Sequence, residues 1–596
     1  MAAGSRDGHE AASTVLLSLP ASLHRLVPHA SIGAVSQPFD HAVASFDPTS
    51  TGVLLWTRLS GGESAADLVV ARDPDLHDVV HRSTHQTGPD RDHTVVVAVE
   101  ELEPATTYWY QFLSAGCSSP VGRTRTLPDG VVERVRIGLV CCANYSVAPL
   151  GVYRALAERE VDLVLHLGDY MYEDRGAGGV RDDDPPRATI TLADYRRRLA
   201  QLRADPDTQA LHLRHAVTTI WDDHDLSDNA WHSGAKHHDP DRDGPWIDRV
   251  RAAAQARQEW VPRRLMDPSN PLRTWQSVTL GDLAELVLLD TRYEGRDRQA
   301  GDDGALALDD PGRSLLGEPQ RAWAEARLRE AEQPWAVVVS GVVVNELELP
   351  WPIALSRVNA LLPNGYAVID GRVMHDDQWD GYPRERERLA RWCRDRAESG
   401  RRTVLLSGDV HSSWAFVGPD DPATPSPVAV EFTVPAVSSA AMGRAHFPGL
   451  SVLLDRAVDR MDHVSWAEVT RRGYCILELT PDRAQAEWWF VQPYDEDPAA
   501  SAELGAAFVT DREAWPPALV ETKTASSDPS RPGLPDGLPA RPSDLEALRR
   551  QHKARILRRT FAVLVPVVAG ATLWATGARR RGHDQGRPSA SSSPPS

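Results

Sequence analysis

Cysteine is scarce, with five residues in a chain of 596. That excludes a disulfide framework and suits a reducing compartment. Two of the five, Cys141 and Cys142, are adjacent, and neighbours in the chain rarely bridge each other. Basic charge is also short. Lys and Arg number 65 against 84 Asp and Glu, a formal net charge of -19. Such a field repels a polyphosphate backbone, so no nucleic-acid-binding role is expected. It does not prevent phosphate binding at a metal centre, where bound cations dominate locally. The N-terminal stretch lacks a twin arginine, and Pro20 and Ser22 interrupt its apolar run. Residues 1–29 therefore read as a poor export signal. No internal repeat is visible. What remains is ordinary for a soluble globular protein, 41% hydrophobic and 25% charged. The length exceeds one compact core, so at least two domains are expected.

Residues 30–128 read as all-β. GVLLWTRL and HTVVVAVEEL run apolar over strand length, and TTYWYQF is rich in β-branched and aromatic residues. Asp47-Pro48, Gly88-Pro89 and Glu103-Pro104 mark turns between them. A small β-sandwich is the economical expectation. From Arg134 the pattern becomes βαβ: RVRIGLVCC is a buried strand, GVYRALAERE has helical spacing, and DLVLHLGD is a strand again. The alternation continues to RGYCILELT and AEWWFVQPY, which places an α/β catalytic domain over 129–515. Residues 516–559 begin with a Pro-, Ser- and Asp-rich linker. Residues 560–578 carry no charge and as a helix would span roughly 28 Å, close to the hydrocarbon thickness. Arg555, Arg558 and Arg559 precede them, and Arg579, Arg580 and Arg581 follow. A single-pass C-terminal membrane anchor is expected there, with 579–596 a disordered tail. The basic residues are more numerous on the N-terminal side, which favours a catalytic domain facing the cytoplasm.

Three apolar runs end in acidic and imidazole or phenol side chains. VDLVLHLGDYMYE delivers Asp169 and Tyr172, TTIWDDHD delivers Asp222, Asp223, His224 and Asp225, and TVLLSGDVH delivers Asp409 and His411. Taken singly, each has a bland alternative: a solvated loop aspartate, a polar turn, a capping Asp beside a surface His. Together they predict one metal site assembled from distant segments. Clustered carboxylates raise one another's pKa unless a cation holds them, and imidazole suits iron, manganese or zinc. A cysteine at the end of RIGLVCC is by default a buried thiol, and near a metal it ligates as thiolate. Periodicity does not choose between Cys141 and Cys142.

The chain resembles the PhoD-type alkaline phosphatases of the calcineurin-like metallophosphoesterase superfamily. The matching segments are FDHAVASFDPTSTGVLLWTRL, RIGLVCCANYS, LVLHLGDYMYE, TIWDDHDLSDNAW, LLDTRYEGRD, DDQWDGYPRERERL, LLSGDVHSSW and EFTVPAVSSA, in this order. The resemblance implies a four-layer α/β/β/α catalytic domain behind an Ig- or fibronectin-III-like β-sandwich. It implies one ferric ion and calcium ions, and hydrolysis of phosphomonoesters and phosphodiesters through a metal-activated water. Carried over by position, Cys142, Tyr172 and His411 match ferric ligands and Asp169 the bridging aspartate. Asp409 is paired with His411. Asp222 and Asp223 align with the acidic pair, and Asn229 is placed toward the second metal. His224 aligns with the histidine that assists the leaving oxygen. Arg292 in LLDTR suits a phosphate clamp, with a structural ion pair as the alternative. The family's DDHE reads DDHD here, so Asp225 is one methylene short if it orients His224. VVVSGVVVNELE replaces a glutamine-containing segment. Two other functions stay open: an anchored phosphodiesterase of lipid or cell-wall polymers, and a catalytically silent binding module on the same fold.

Overall fold

The computed structural model describes residues 38–175, 179–300, 310–347, 372–441, 461–526 and 540–554, with 308, 367–369 and 538. RVRIGLV runs apolar because its strand, Val135–Val140, is covered on both faces. Leu163–His166 and Ala216–Thr219 continue from it in parallel. These three form the middle of a ten-stranded sheet. Gly473–Leu479 extends it antiparallel on one side, followed by Arg483–Phe490, Glu503–Asp511 and Val520–Glu521. On the other side Val43–Phe46 pairs parallel with Ala216–Thr219, then Val53–Arg58 and Thr94–Val99 follow.

Strands from the N-terminal β segment thus complete the sheet of the α/β region. Alternation revealed those strands but carried no information on their partners. The remaining N-terminal strands form a separate five-stranded sheet. Its Leu68, Val70, Tyr110 and Phe112 pack with Val43, Leu55 and Val97 in one hydrophobic cluster.

A second large sheet has seven strands. Four of them run parallel: Ala284–Leu288, Trp335–Val339, Arg402–Ser407 and Val430–Thr433. Ile137, Leu139, Leu163 and Leu165 of the first sheet share a core with Leu286, Val337, Val339, Val404 and Leu406 of the second. The first sheet's other face meets Leu156, Leu199 and Val250 from three helices. Leu328, Leu389 and Cys393 from two more helices pack on Val287, Val338 and Leu405. The helix Leu192–Ala204 starts at a capping box between Thr191 and Asp194, which satisfies two otherwise unpaired amides. With this arrangement the parallel strands of both sheets discharge their C-terminal ends into one region, the place where α/β sheets bind ligands.

Residues 516–559 are in part packed on this body. Val520–Glu521 is an edge strand, Leu545 and Leu548 are buried, and Arg541 donates to both Asp207 carboxylate oxygens at 2.9 and 2.8 Å. The expected membrane location is corrected. Among the described residues no helix is long and apolar enough to cross a membrane. Residues 560–578 lie outside the described residues, as do 1–29 and 579–596. The single-pass anchor and the cytoplasmic orientation built on it are withdrawn.

Leu406 tests the shared core. It is fully buried between the sheets. Leu406→Ala is expected to lower the unfolding free energy by about 2–5 kcal/mol in urea titration. A loss within measurement error would show that the two sheets do not pack there.

Candidate metal centre

The candidate ligands follow directly on central strands. Cys142 comes after Val135–Val140, Asp169 after Leu163–His166, Asp222 and Asp223 after Ala216–Thr219, and Asp409 after Arg402–Ser407. Five candidate residues have left-handed backbone: Cys142 at φ 59°, Asp169 at 54°, Asn229 at 49°, Asp409 at 61° and His411 at 53°. Non-glycine residues rarely adopt it, and each instance costs about 1–3 kcal/mol. Neighbouring segments hold these turns. The Cys142 and Ala143 amides donate to the Gly168 and Asp169 carbonyls at 3.2 and 2.9 Å. Gly168 is required because a Cβ there would lie 2.4 Å from Asp222 Cβ.

The side chains converge. Ligand atoms of Cys142, Asp169 and His411 lie within 4.8 Å of one another, as do those of Asp169, Asp223 and His224, and those of Asp169, Asp222, Asp223 and Asp409. Asp169 belongs to all three groups. Its Oδ2, with Asp222 Oδ2 and Asp223 Oδ1, is buried without a hydrogen-bond donor. Buried carboxylate oxygens without donors in neighbouring side chains fit a cation, because few other partners satisfy them without water. Cys142 is the thiol at the site. Cys141 Sγ instead donates to Val434 O at 3.4 Å.

The histidine is prepared to ligate. His411 Nδ1 donates to Ala440 O at 3.1 Å, which leaves Nε2 as the acceptor atom, 2.9 Å from Tyr172 Oη. Burial pushes its pKa down to about 4, so the ring is neutral. Tyr172 Oη also accepts from Ser439 Oγ at 2.7 Å. Burial raises the Cys142 thiol and the Tyr172 phenol well above their ordinary values. Burial likewise raises Asp169 and Asp409 well above the carboxylate range and Asp222 to about 7, with neighbouring carboxylates adding to it. Shifts in this direction make protons compete with a cation for the same donor atoms.

Arg292 is fully buried and surrounded by carboxylates. It donates to Asp222, to Asp377 at 2.6 Å and to Asp409 at 3.0 Å, and lies 3.5 Å from Asp223. Of the two readings of this residue, the geometry supports the ion pair. Asp377 is held further by Arg296 and Gln299, each at 2.6 Å, and Gln378 donates to Asp409.

His224 stacks on the Tyr172 ring with centroids 4.1 Å apart. Its Nδ1 is 2.6 Å from Glu173 Oε2, and its amide donates to Asp169 at 3.1 Å. Burial opposes its charge, yet Asp223, Glu173 and Asp169 together raise its pKa well above the usual value. Glu173, not Asp225, therefore orients the ring. Asp225 accepts from the Tyr170 and Asp222 amides at 3.1 and 3.0 Å, tying two strand tips together. The shorter side chain is matched to that backbone task. Asn229 meets the cluster through its backbone N–H, which donates to Asp223 Oδ2 at 2.7 Å. In VVVSGVVVNELE, which replaces the glutamine-containing segment, Gly341 comes close: a Cβ there would sit 2.8 Å from Asp222 Oδ1.

Sequence reasoning missed Glu173, Asp377, Gln378 and Ser439. Glu173 lies in the same LGDYMYE segment as Asp169, so its nearness was available. The others come from segments whose approach only the fold creates.

Known proteins with this architecture set the class first. The PhoD-like phosphatase model matches residues 137–488, which contain every candidate site residue. The model for the PhoD-like phosphatase N-terminal domain matches 27–128. Alkaline phosphatase D of Bacillus subtilis (strain 168) is 31% identical over 504 residues, covering 80% of this chain and 82% of that protein. The solved structure of PhoD superposes with a TM-score of 0.69 at 26% identity, covering 89% of this chain and 100% of that one. The chain belongs to the PhoD-like phosphatase family and is a phosphoester hydrolase.

Cation binding should release protons. At pH 6 the raised carboxylates carry protons that a cation must displace, Asp222 among them. Calorimetric heats of metal binding are expected to vary with the buffer's ionisation enthalpy, and affinity to rise from pH 5 to 8. Heats independent of buffer would contradict the protonated apo cluster.

Proposed function

We propose that this hydrolase is metal-dependent and acts on phosphomonoesters and phosphodiesters with water as nucleophile. The observation that carries this reading is Asp169, shared by three donor groups of different chemistry. Cys142, Tyr172 and His411 form the softer side, with thiol, phenol and imidazole, and suit a ferric ion. Asp222, Asp223 and Asp409, with Asn229 at their edge, form the all-oxygen side and suit calcium or another divalent ion. When bound, such ions neutralise phosphate charge and lower the pKa of water.

The chain's own residues do the rest. Asp169 holds the two donor groups in register. Arg292 keeps Asp222, Asp377 and Asp409 apart at fixed spacing and balances part of their charge. His224, charged and held by Glu173, is positioned to give a proton to the departing oxygen. The Tyr172 ring fixes the imidazole plane. Phosphoryl transfer asks for positioning and charge stabilisation more than covalent catalysis, and this site is built for both.

The finer architecture is part of the same proposal. A four-layer α/β/β/α body is supported by the core shared between the sheets and by helices on each outer face. A β-sandwich over 30–128, a catalytic domain over 129–515 and a connecting segment over 516–559 are the domain bounds of this reading, and the N-terminal family match ending at 128 supports the first of them.

Turnover of p-nitrophenyl phosphate and bis(p-nitrophenyl) phosphate should vanish after chelation and return with iron and calcium. Asp169→Ala should abolish it irreversibly, and full turnover in either case would defeat the proposal. His224→Ala should lose about 10²–10⁴-fold on alkyl esters, whose leaving oxygen needs a proton. The loss should be much smaller on p-nitrophenyl esters. Equal losses on both would remove His224 from that role.

A further inference from the structure

Tyr172, Glu173 and Asp174 lie in neither a helix nor a strand, so their carbonyls need partners from elsewhere. Arg198 supplies them. It is on the helix Leu192–Ala204 and is buried, sharing a face with Asp194, Tyr195, Leu199 and Leu202 at helical spacing. Its Nη1 donates to the Tyr172 carbonyl and, at 3.1 Å, to the Asp174 carbonyl. Its Nε donates to the Asp184 carbonyl at 3.2 Å, and Nη2 to the Pro185 and Arg187 carbonyls at 2.9 and 3.2 Å. A guanidinium has five N–H groups, and here each has a backbone oxygen.

These bonds tie together two stretches of chain. Residues 172–174 leave the metal centre, and 184–187 lead to the start of the helix. Between the held carbonyls of Tyr172 and Asp174 lies Glu173, whose own carbonyl accepts from the Thr189 amide at 2.9 Å. Three consecutive carbonyls are thereby fixed. The buried Glu173 carboxylate accepts from the Asp228 amide at 2.6 Å and meets His224 Nδ1 at 2.6 Å. Tyr172, whose ring stacks on His224, starts from the same clamp. Asp222, Asp223 and Asp409 make no bond to Arg198 and are held by Arg292 instead. A lysine at this position offers three donors from one nitrogen, so at least two of the five carbonyls would lose their partner.

We propose that Arg198 is a positioning residue for protonation of the leaving group: it clamps 172–174 to 184–187 and so sets Glu173 and the Tyr172 ring against His224. It acts through these two residues and not on the substrate. The catalytic consequence rests on His224 as the proton donor, whereas the clamp itself does not. Loosening the clamp moves the proton donor and leaves the all-oxygen side of the metal centre in place.

Wild type, Arg198→Lys, His224→Ala and the double variant, each as the metal-loaded full chain, are compared on β-glycerol phosphate and p-nitrophenyl phosphate. Arg198→Lys is expected to lower kcat on the glycerol ester about 10–100-fold, with a much smaller loss on the nitrophenyl ester. In the double variant it should add nothing to the selectivity that His224→Ala already shows. Equal losses on both esters in Arg198→Lys, beside a selective loss in His224→Ala, overturn the proposal and leave the role of His224 standing. Equal losses in His224→Ala as well overturn both. Hydrogen–deuterium exchange reads the clamp without substrate. The Thr189 amide should exchange slowly in the wild type and faster in Arg198→Lys, with the helix Pro206–Arg214 unchanged. Rapid exchange of Thr189 in the wild type overturns the proposal even if the variant does not fold.

Discussion

Buried carboxylates placed side by side are the condition to which the rest of this structure answers. At an effective dielectric of 20, two unit charges 4 Å apart repel by about 4 kcal/mol. Asp169, Glu173, Asp222, Asp223, Asp377 and Asp409 supply six such groups, all buried or nearly so. Arg292, Arg296 and a protonated His224 supply three cationic partners among them. The remainder is a deficit of positive charge in a largely buried site. Protons fill it at low pH, and cations fill it when present. Burial first, and this imbalance after it, account for the raised pKa values of Asp169, Asp222 and Asp409 and for the orphaned oxygens.

The fold produces the imbalance by ending several parallel strands in one region. Two sheets share a core, so the turns after their central strands face each other. Those turns bend sharply, and five candidate residues take left-handed backbone. Strain of this kind persists only where the surroundings fix it. Here Arg292 ties carboxylates from different segments, Asp225 ties two strand tips, and Gly168 makes room for Asp222. Stability is given up locally so that donors from remote segments meet.

Much of this was legible in the residues. Apolar runs ending in GD, DDHD and GDVH announced the three strand tips, because hydrophobic periodicity and an abrupt polar end are local signals. What was not legible depended on distance. Strand periodicity in RIGLVCC left the choice of cysteine open; the family resemblance pointed to Cys142, and the Cys141 thiol lies against Val434 instead. The family's DDHE pattern raised Asp225 as a possible orienter of His224, whereas Glu173 reaches the ring from the Asp169 segment. Asp377 and Gln378 carried no sign of their role, since only tertiary packing brings them to Arg292 and Asp409. The N-terminal strands were equally clear as strands and equally silent about joining the larger sheet.

The central claim is that the convergence at Asp169 exists to hold cations. Metal content per chain, measured by plasma mass spectrometry on purified wild type and Asp169→Ala, tests it most directly. The account predicts more than one metal equivalent in the wild type and a marked loss of metal in a variant that still folds. Wild-type protein without bound metal, or a variant that retains it in full, would contradict the account.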